Sequence, residues 1–276
     1  MKDIEISVII PCFNHGIYIQ EALDSVLITK YPFEYEIIII NDGSTDPITI
    51  KILEGLNDSR IQVIHQKNAG PSVARNNAIS HSRGKYILPL DADNKISPKF
   101  LCKGFEILTS NEGISIVHSK GIKFGLNNKS EFGGIVDFQQ LVLYNTVDTC
   151  ALFRKTVWEK VGGYDEFLSK RGLEDWDFWL CCAENGFKFH FIDEVLFYYR
   201  ENENSRTMKV ANNNLEIVVN YIQKKHANFI VETYKALRFD FNNLLKSREY
   251  SLGIMLLSPL RKLSHYFKQQ AIDKND

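Results

Sequence analysis

Two patterns of apolar and polar positions follow each other in turn along the first 95 residues. Four runs are continuously apolar and rich in β-branched residues, which is typical of strands buried on both faces of a sheet. Between these runs, apolar residues recur every three or four positions, the spacing of amphipathic helices. This exchange predicts an α/β fold with a Rossmann-like, mostly parallel central sheet flanked by helices. The predicted strands are "ISVIIPCFN", "YEIIIINDGSTD", "IQVIHQ" and "KYILPLDAD".

The pattern in the rest of the chain is less regular and becomes helical toward the C-terminus. The polar, Gly-containing stretch from Leu126 to Gly134 predicts a loop, and helical spacing runs from Asn212 onward through "SLGIMLLSPLRKLSHYF". Between them, the pattern predicts a helix in "VDFQQLVLYN", a strand in "VDTCALFRK", helices in "KTVWEKVGGYDE" and "EDWDFWLCCAENG", and a strand pair in "FKFHFIDEVLFYYR".

Charge divides the chain unevenly, although the formal net charge is only −1. Up to Thr207, 22 Lys+Arg stand against 28 Asp+Glu, giving −6; the remaining 11 and 6 give +5. We predict one domain at 1–207, with halves at about 1–95 and 96–207, and a basic helical extension at 208–276. This balance gives no reason to expect a nucleic-acid partner. For the extension, packing against the body or dimerisation is the expectation, and contact with an anionic membrane surface is the alternative.

The five cysteines are odd in number and include no C-x-x-C pair, which disfavours structural zinc and a disulfide framework. Reduced thiols suit the cytoplasm. No stretch approaches ~18 uninterrupted apolar residues, the length that a membrane span needs. We therefore predict a cytoplasmic protein that is either free or peripheral at the inner face of the cell membrane.

Acidic residues follow the fourth predicted strand, in "YILPLDADNKIS". In an extended chain, side chains two residues apart point to the same side, so Asp91 and Asp93 are expected to face one point. Two buried anions need a positive partner. A hard divalent cation that carries substrate phosphates, Mg²⁺ or Mn²⁺, is one such partner. Turn and cap chemistry is the alternative explanation of a lone D-x-D.

Six motifs, taken together, resemble the family-2 nucleotide-sugar glycosyltransferases of the A-type fold. They occur in the family's order and cover about residues 4–205: "SVIIPCFN", "IIIINDGSTD", "NAGPSVARNNAI", "GKYILPLDAD", "VGGYDE" and "EDWDFWL". The resemblance implies an inverting transfer of a sugar from a nucleotide-sugar to a hydroxyl acceptor, with a UDP-sugar as the expected donor. A glycan or a lipid-linked acceptor, in surface polysaccharide, lipopolysaccharide or glycolipid synthesis, is the expectation by analogy.

The resemblance also implies roles for residues at the predicted strand ends. Asp42 would hydrogen-bond the base, with Pro11 and Asn14 lining the nucleoside pocket. Arg75 would sit beside the base and help to hold Asp42, and Asp91 would reach the ribose. Taken alone, Asp42 is equally explained as a turn or cap residue. Taken alone, an arginine such as Arg75 on a helix face is more often a solvated or salt-bridged side chain.

Metal binding and proton transfer are assigned by the same resemblance. Asp93 would ligate the metal at the diphosphate, and Asp175 of the E-D pair would be the general base, with Glu174 beside it for acceptor binding. Asp177 is the alternative base. The dipole at a helix N-terminus also favours acids there, whatever their function. Trp176 is a candidate for stacking on a sugar and Arg200 for contact with the diphosphate.

Two rival functions remain open from the sequence. A nucleotidyltransferase also uses an α/β sheet with metal-binding acids, but such enzymes usually begin with a Gly-rich, basic phosphate loop, which "PCFNHG" lacks. An inactive nucleotide-sugar-binding module is the second rival, and the retention of both D-A-D and E-D argues against it. A chain without a Q-x-x-R-W motif favours the addition of one sugar rather than processive synthesis.

Overall fold

Four parallel strands form the first half of the sheet, as the continuous apolar runs predict. The computed structural model describes residues 3–126, 130–202, 206–248, 250 and 252, with only the backbone for 206–214. Strand β1 lies between β2 and β4, and β3 flanks β2, all in parallel register. Every residue of β2 is buried, which explains its four consecutive isoleucines. The bounds are β1 Ile6–Cys12, β2 Tyr35–Asp42, β3 Ile61–Gln66 and β4 Tyr86–Pro89.

The second half of the sheet is mixed rather than parallel. In the described part of the chain the sheet has nine strands in the order β3-β2-β1-β4-β8-β6-β9-β5, with β7 beside β6. Strand β8 is antiparallel to β4 and β6, whereas β6 and β9 are parallel. The bounds are β5 Lys95–Ile96, β6 Ile116–Gly125, β7 Glu131–Phe132, β8 Leu152–Arg154 and β9 Phe189–Glu201.

Two local predictions in this half are wrong. The expected strand pair is one 13-residue strand, β9, whose pairing with β6 shifts register after Ser119. Such a bulge keeps both parts of β9 on the same neighbour, so no hairpin turn is needed. The stretch predicted as a loop contains β7, because Glu131 and Phe132 pair with β6.

Helices cover the sheet and carry the remaining motifs. Four begin with a proline at the first position or with a side-chain cap, features that satisfy or remove free N–H groups. The bounds are α1 Gly16–Leu27, α2 Pro47–Glu54, α3 Pro71–His81, α4 Pro98–Ser110, α5 Phe138–Leu141, α6 Lys155–Val161, α7 Glu174–Glu184, α8 Arg206–Lys225 and α9 Ala227–Lys246, with a 3₁₀ turn at Glu166–Leu168.

The chain forms two compact units, residues 1–227 and 228–276. The first therefore extends 20 residues beyond the predicted domain boundary at Thr207. Val218 and Ile222 of α8 are fully buried, and Lys225 pairs with Asp165 and Asp177, which holds α8 in this unit.

The second unit is described mainly through α9. Its apolar side chains are largely exposed, and they include Leu237, Phe239 and Phe241. Apart from Leu252, the segment "SLGIMLLSPLRKLSHYF" lies outside the described residues. Among the helices that the structure describes, we find none with both the length and the hydropathy that a bilayer crossing needs.

Candidate active site

Arg75 of α3 connects two distant parts of the chain. Its Nη2 lies 2.8 Å from Asp91 Oδ1, in the turn after β4, and its Nη1 lies 3.0 Å from Glu174 Oε1, in the first turn of α7. The Arg75 side chain is 4% exposed, and its guanidinium carbon stands 5.5 Å from the ring centroid of Tyr164. Because one buried cation contacts both carboxylates, the D-A-D and E-D motifs meet at one point.

Asp42 is held by groups other than Arg75. Its buried carboxylate accepts hydrogen bonds from Gln66 Nε2 at 2.7 Å and from the backbone N–H groups of Ala69 and Gly70 at 2.8 Å. The predicted support of Asp42 by Arg75 is wrong, because the Nη groups of Arg75 bind Asp91 and Glu174. Asp42 instead fixes the loop that leads from β3 into α3. Its contact with a base stays a prediction.

Asn14 ties together the loops that follow the first two strands. Its Oδ1 accepts from Thr45 N and Asp46 N at 2.8 and 2.9 Å, and its φ of 56° is in the left-handed region. Asparagine tolerates this conformation better than most residues. Asp46 caps α2, and half-buried Pro11 pairs with Ile40 in the sheet register. The predicted role of Asn14 and Pro11 in a nucleoside pocket is compatible with this position and stays a prediction.

The D-A-D segment is a turn and not an extended strand. Strand β4 ends at Pro89, and Asn94 N donates to Asp91 O at 3.0 Å. The period-two argument for a common direction is therefore wrong. The two carboxylates remain close enough to interact, because the charge of Asp91 adds to burial in raising the pKa of Asp93. Arg75 is the positive partner of Asp91.

Asp93 and Asn202 offer oxygen atoms for a hard cation. Asp93 Oδ2 lies 3.5 Å from Asn202 Nδ2, a long contact. Asn202 Oδ1 is buried and has no hydrogen-bond partner among the described residues. An orphaned buried oxygen beside a carboxylate with raised pKa is unfavourable by itself. A divalent cation would satisfy the Asp93 carboxylate, and also Asn202 Oδ1 once the amide, whose Nδ2 now faces Asp93, is rotated; the residues present therefore fit the predicted metal.

Arg200 is anchored beside Asp93. Its Nε donates to the carbonyl oxygen of Asp93 at 2.9 Å, and its guanidinium stands 4.6 and 4.4 Å from the ring centroids of Tyr18 and Phe124. An ion pair of 3.0 Å joins Nη2 to Glu21. These contacts leave a fixed cation next to the candidate metal ligand, where a diphosphate is expected.

Asp175 begins α7 beside Glu174. Its Oδ2 accepts from Asn145 Nδ2 and its Oδ1 from Trp176 N, both at 2.8 Å. Burial raises the pKa of Asp175 to about 6, and the charge of Glu174 adds to the rise while Arg75 opposes it. A carboxylate with such a pKa is ionised at pH 7 and still basic enough to accept a proton.

The residue before this pair has a strained backbone. Leu173, at the N-cap of α7, has a φ of 60°. Among the described non-glycine residues, Leu173 and Asn14 have positive φ, and both lie at the ends of site elements. Such outliers cost about 1–3 kcal/mol each and cluster at functional sites.

A cavity of about 450 Å³ opens beside Asp175. Asp148 also lines it and accepts a hydrogen bond from Cys150 N at 2.8 Å. Burial raises the pKa of Asp148 to about 7, and the charges of Asp91 and Asp175 contribute. The sequence interpretation missed Asp148. The sequence feature that could have identified Asp148 is its place just before the apolar residues of a predicted strand.

Trp176 is not available for stacking on a sugar. It is 3% exposed, and its Nε1 donates to Leu141 O at 2.6 Å. Trp179 is fully buried and donates to Val147 O. The prediction for Trp176 is therefore wrong, because the face of α7 that carries both indoles packs into the core.

Asn76 was also missed, although it lies within a quoted motif. Its Oδ1 accepts from Trp158 Nε1 and Tyr164 N at 2.9 Å, and its Nδ2 donates to Tyr164 O. It thus joins "NAGPSVARNNAI" to "VGGYDE" and secures the Tyr164 ring beneath Arg75. The sequence, in which Asn76 simply follows Arg75, does not indicate these hydrogen bonds to Trp158 and Tyr164.

A second polar cluster joins α7 to His226, which directly follows α8. Atoms of Asp177, Cys181 and His226 lie within 4.8 Å of one another, a spacing that a metal could use. Both ring nitrogens of His226 bind carboxylates, those of Asp177 and Glu184, at 3.0 Å. Although burial opposes it, these bonds raise the pKa of His226 to about 10. We interpret the cluster as an ion-pair network that holds α8, which also leaves Asp177 less suited to act as base.

Arg75→Met is expected to lower the free energy of unfolding by about 3 kcal/mol, because it leaves Glu174 buried without its cation. Arg60→Met is the matched control, since Arg60 pairs with Asp58 at the surface with 40% of its side chain exposed. Its effect should stay below about 1 kcal/mol. Urea unfolding of both variants measures the difference. Equal losses in the two variants would contradict a buried bridge at Arg75.

Comparison with known proteins gives a family match. The model of "Glycosyl transferase family 2" matches residues 7–162, more than half of the chain. An uncharacterized glycosyltransferase of Rickettsia felis is 33% identical over 66% of this chain, which spans 31% of that relative's length. One from Methanocaldococcus jannaschii is 30% identical and matches 71% of this chain and 70% of its own length. A chondroitin synthase of Pasteurella multocida is 25% identical over 89% of this chain and 25% of its own.

Solved structures agree on the fold. S. aureus TarS residues 1–349 in complex with UDP-GlcNAc has a TM-score of 0.62 and 20% identity, and the match covers 74% of this chain and 61% of that one. At this identity the likeness establishes a common fold.

Proposed function

The chain belongs to glycosyl transferase family 2, and from this we propose that it is a glycosyltransferase that moves one sugar from a UDP-sugar to a hydroxyl acceptor, with inversion at the anomeric carbon, in surface polysaccharide or glycolipid synthesis. The observation that carries the proposal is the bridge through Arg75, which brings the donor-side Asp91 to the acceptor-side Glu174. The UDP-GlcNAc complex of TarS and the chondroitin synthase relative support a UDP-sugar donor and a glycan product.

The donor side is assigned to the edge of the sheet where β1, β2 and β4 end. Asp42 would accept a hydrogen bond from the base, and Asn14 and Pro11 would line the nucleoside pocket. Asp91, held by Arg75, would bind the ribose hydroxyls. Ligands of parallel α/β sheets bind beyond the carboxyl ends of the strands, which supports this assignment.

Asp93 is proposed as the ligand of a divalent cation, Mn²⁺ or Mg²⁺, with the Oδ1 atom of Asn202 as a further ligand. Such a cation supplies Lewis-acid stabilisation of the departing diphosphate. Arg200 adds a fixed positive charge at the same place, since it binds the backbone of Asp93. The chain thus provides two separate means of stabilising the leaving group.

Asp175 is proposed as the general base. The acceptor oxygen forms a bond to the anomeric carbon, the bond to the diphosphate breaks with its electron pair, and the acceptor's proton passes to Asp175. Asn145 orients the carboxylate. The contact of Glu174 with the acceptor stays a prediction, since Glu174 is buried and pairs with Arg75.

A thermal-shift screen of nucleotide-sugars with and without Mn²⁺ tests the proposal, because a bound ligand raises the apparent stability by mass action. We expect UDP-sugars to raise the melting temperature with Mn²⁺, and slow release of UDP on prolonged incubation. Stabilisation without UDP release would favour the inactive binding module. Release of pyrophosphate from a nucleoside triphosphate and a sugar phosphate would favour a nucleotidyltransferase.

The membrane or dimer contact of the C-terminal extension stays a prediction. Exposed apolar residues on α9, among them Phe239 and Phe241, are consistent with either partner. The acceptor is proposed to be a lipid-linked or free glycan.

A further inference from the structure

The cavity beside Asp175 has an unusual charge. Asp148 and Asp175 line it, and its described lining contains no lysine, arginine or histidine. The other polar walls are the neutral side chains of Gln140, Asn145 and Thr146. The described lining therefore carries acidic groups and no basic ones, with uncharged hydrogen-bonding groups between the two carboxyls.

The basic side chains near the cavity form ion pairs with other carboxylates. Arg75 binds Asp91 and Glu174. On strand β6, Lys120 pairs with Asp193, and Lys123 pairs with Glu201 at 2.8 Å. In the described part of the chain no ion pair joins Asp148 or Asp175 to a cation, and Arg75 acts on both only at longer range, where its charge lowers their pKa values.

Asp148 is fixed in place rather than free to turn away. Its Oδ1 accepts from Cys150 N at 2.8 Å, and the residues that follow, Thr149 and Cys150, are buried at 5% and 3% exposure. Strand β8 begins four residues later, at Leu152. One oxygen of the carboxylate is thus held by the backbone, and such fixation is a condition for selective binding.

We propose that this cavity is the acceptor subsite, that it takes an uncharged sugar residue, and that Asp148 sets this specificity by binding a second acceptor hydroxyl. The inference rests on the proposed function and names its acceptor class. The volume of about 450 Å³ lies within the ~300–1,000 Å³ range of small-molecule sites.

Two carboxylates suit a polyhydroxylated ligand. One sugar hydroxyl donates to Asp175 and loses its proton in the reaction, while another donates to Asp148 and stays intact. A phosphate or carboxylate on the acceptor would bring a further anion into a site of reduced dielectric, where like charges repel strongly. Rejection of anionic acceptors is thus a consequence of the same two residues that bind the neutral one.

The test compares kcat/KM for neutral glycosides and for the same glycosides bearing a carboxylate or phosphate. We expect the wild type to prefer the neutral partner by at least about tenfold. Asp148→Asn should raise KM for neutral acceptors and shrink the neutral-to-anionic ratio by about tenfold, with UDP affinity unchanged. Asp137→Asn is the matched control, since exposed Asp137 makes the same kind of bond to a backbone N–H two residues on, outside the cavity.

Different outcomes overturn different claims. If the wild type accepts anionic and neutral glycosides equally, the inference is wrong, and this ratio decides the matter even if Asp148→Asn does not fold. If Asp148→Asn lowers kcat/KM for all acceptors in equal proportion, Asp148 is structural and sets no specificity. If UDP-sugar binding and UDP release are both absent from the wild type, the proposed function itself fails.

Discussion

Asp175→Asn is expected to lower the rate of sugar transfer by about 10³-fold while leaving the affinity for the UDP-sugar unchanged. The amide keeps the size of the carboxylate and cannot accept the acceptor's proton. Donor binding is assigned to the other end of the Arg75 bridge, where Asp91 and Asp93 lie, so it should persist. Single-turnover transfer and calorimetric titration of UDP measure the two quantities separately.

A stability measurement confirms that the variant is folded and tests the pKa. The pKa of Asp175 is raised to about 6 in the folded state and is about 3.9 in an unfolded chain. The folded wild type thus binds more protons in this interval and loses stability as pH rises through it. Asp175→Asn should be more stable than the wild type at pH 8, and this gain should close near pH 4. Parallel loss of UDP affinity and transfer would instead indicate a role in donor binding.

Asp93→Ala is expected to remove the metal dependence of nucleotide binding. The affinity for UDP in Mn²⁺ should fall by at least about 100-fold, since loss even of groups that only orient metal ligands costs 10–100-fold. Without Mn²⁺, the variant and the wild type should bind UDP equally weakly. Calorimetric titrations with and without Mn²⁺ give all four values.

The control for this variant is Asp46→Ala. Asp46 lies at the same edge of the sheet but caps α2, so its loss should cost about 1 kcal/mol of stability and leave the Mn²⁺ effect intact. If Asp93→Ala and the wild type give the same isotherm in Mn²⁺, Asp93 is not the metal ligand.

The strands that support the site could be predicted because strands buried on both faces have unbroken apolar sequences. All four parallel strands of the first half occur where the pattern places them, and the acids follow where β2 and β4 end. The helix beginning at Glu174 was equally clear, since apolar spacing and first-turn acids agree.

The contacts within the site could not be predicted, because they join residues far apart in the chain. Periodicity places Arg75 on a helix but does not reveal that its partners are Asp91 and Glu174 rather than Asp42. The sequence does not distinguish whether the Trp176 indole stacks on a sugar or packs in the core. Asp148 belongs to the site because it lines a cavity formed by several separate segments, which the sequence pattern does not reveal.

Anomalous diffraction from a crystal soaked with UDP and Mn²⁺ tests the account most directly. We predict a manganese peak within coordination distance of the Asp93 carboxylate, next to the diphosphate and in the same cleft as Asp175. A peak at Asp177, Cys181 and His226 instead, with UDP bound and no manganese at Asp93, would contradict it.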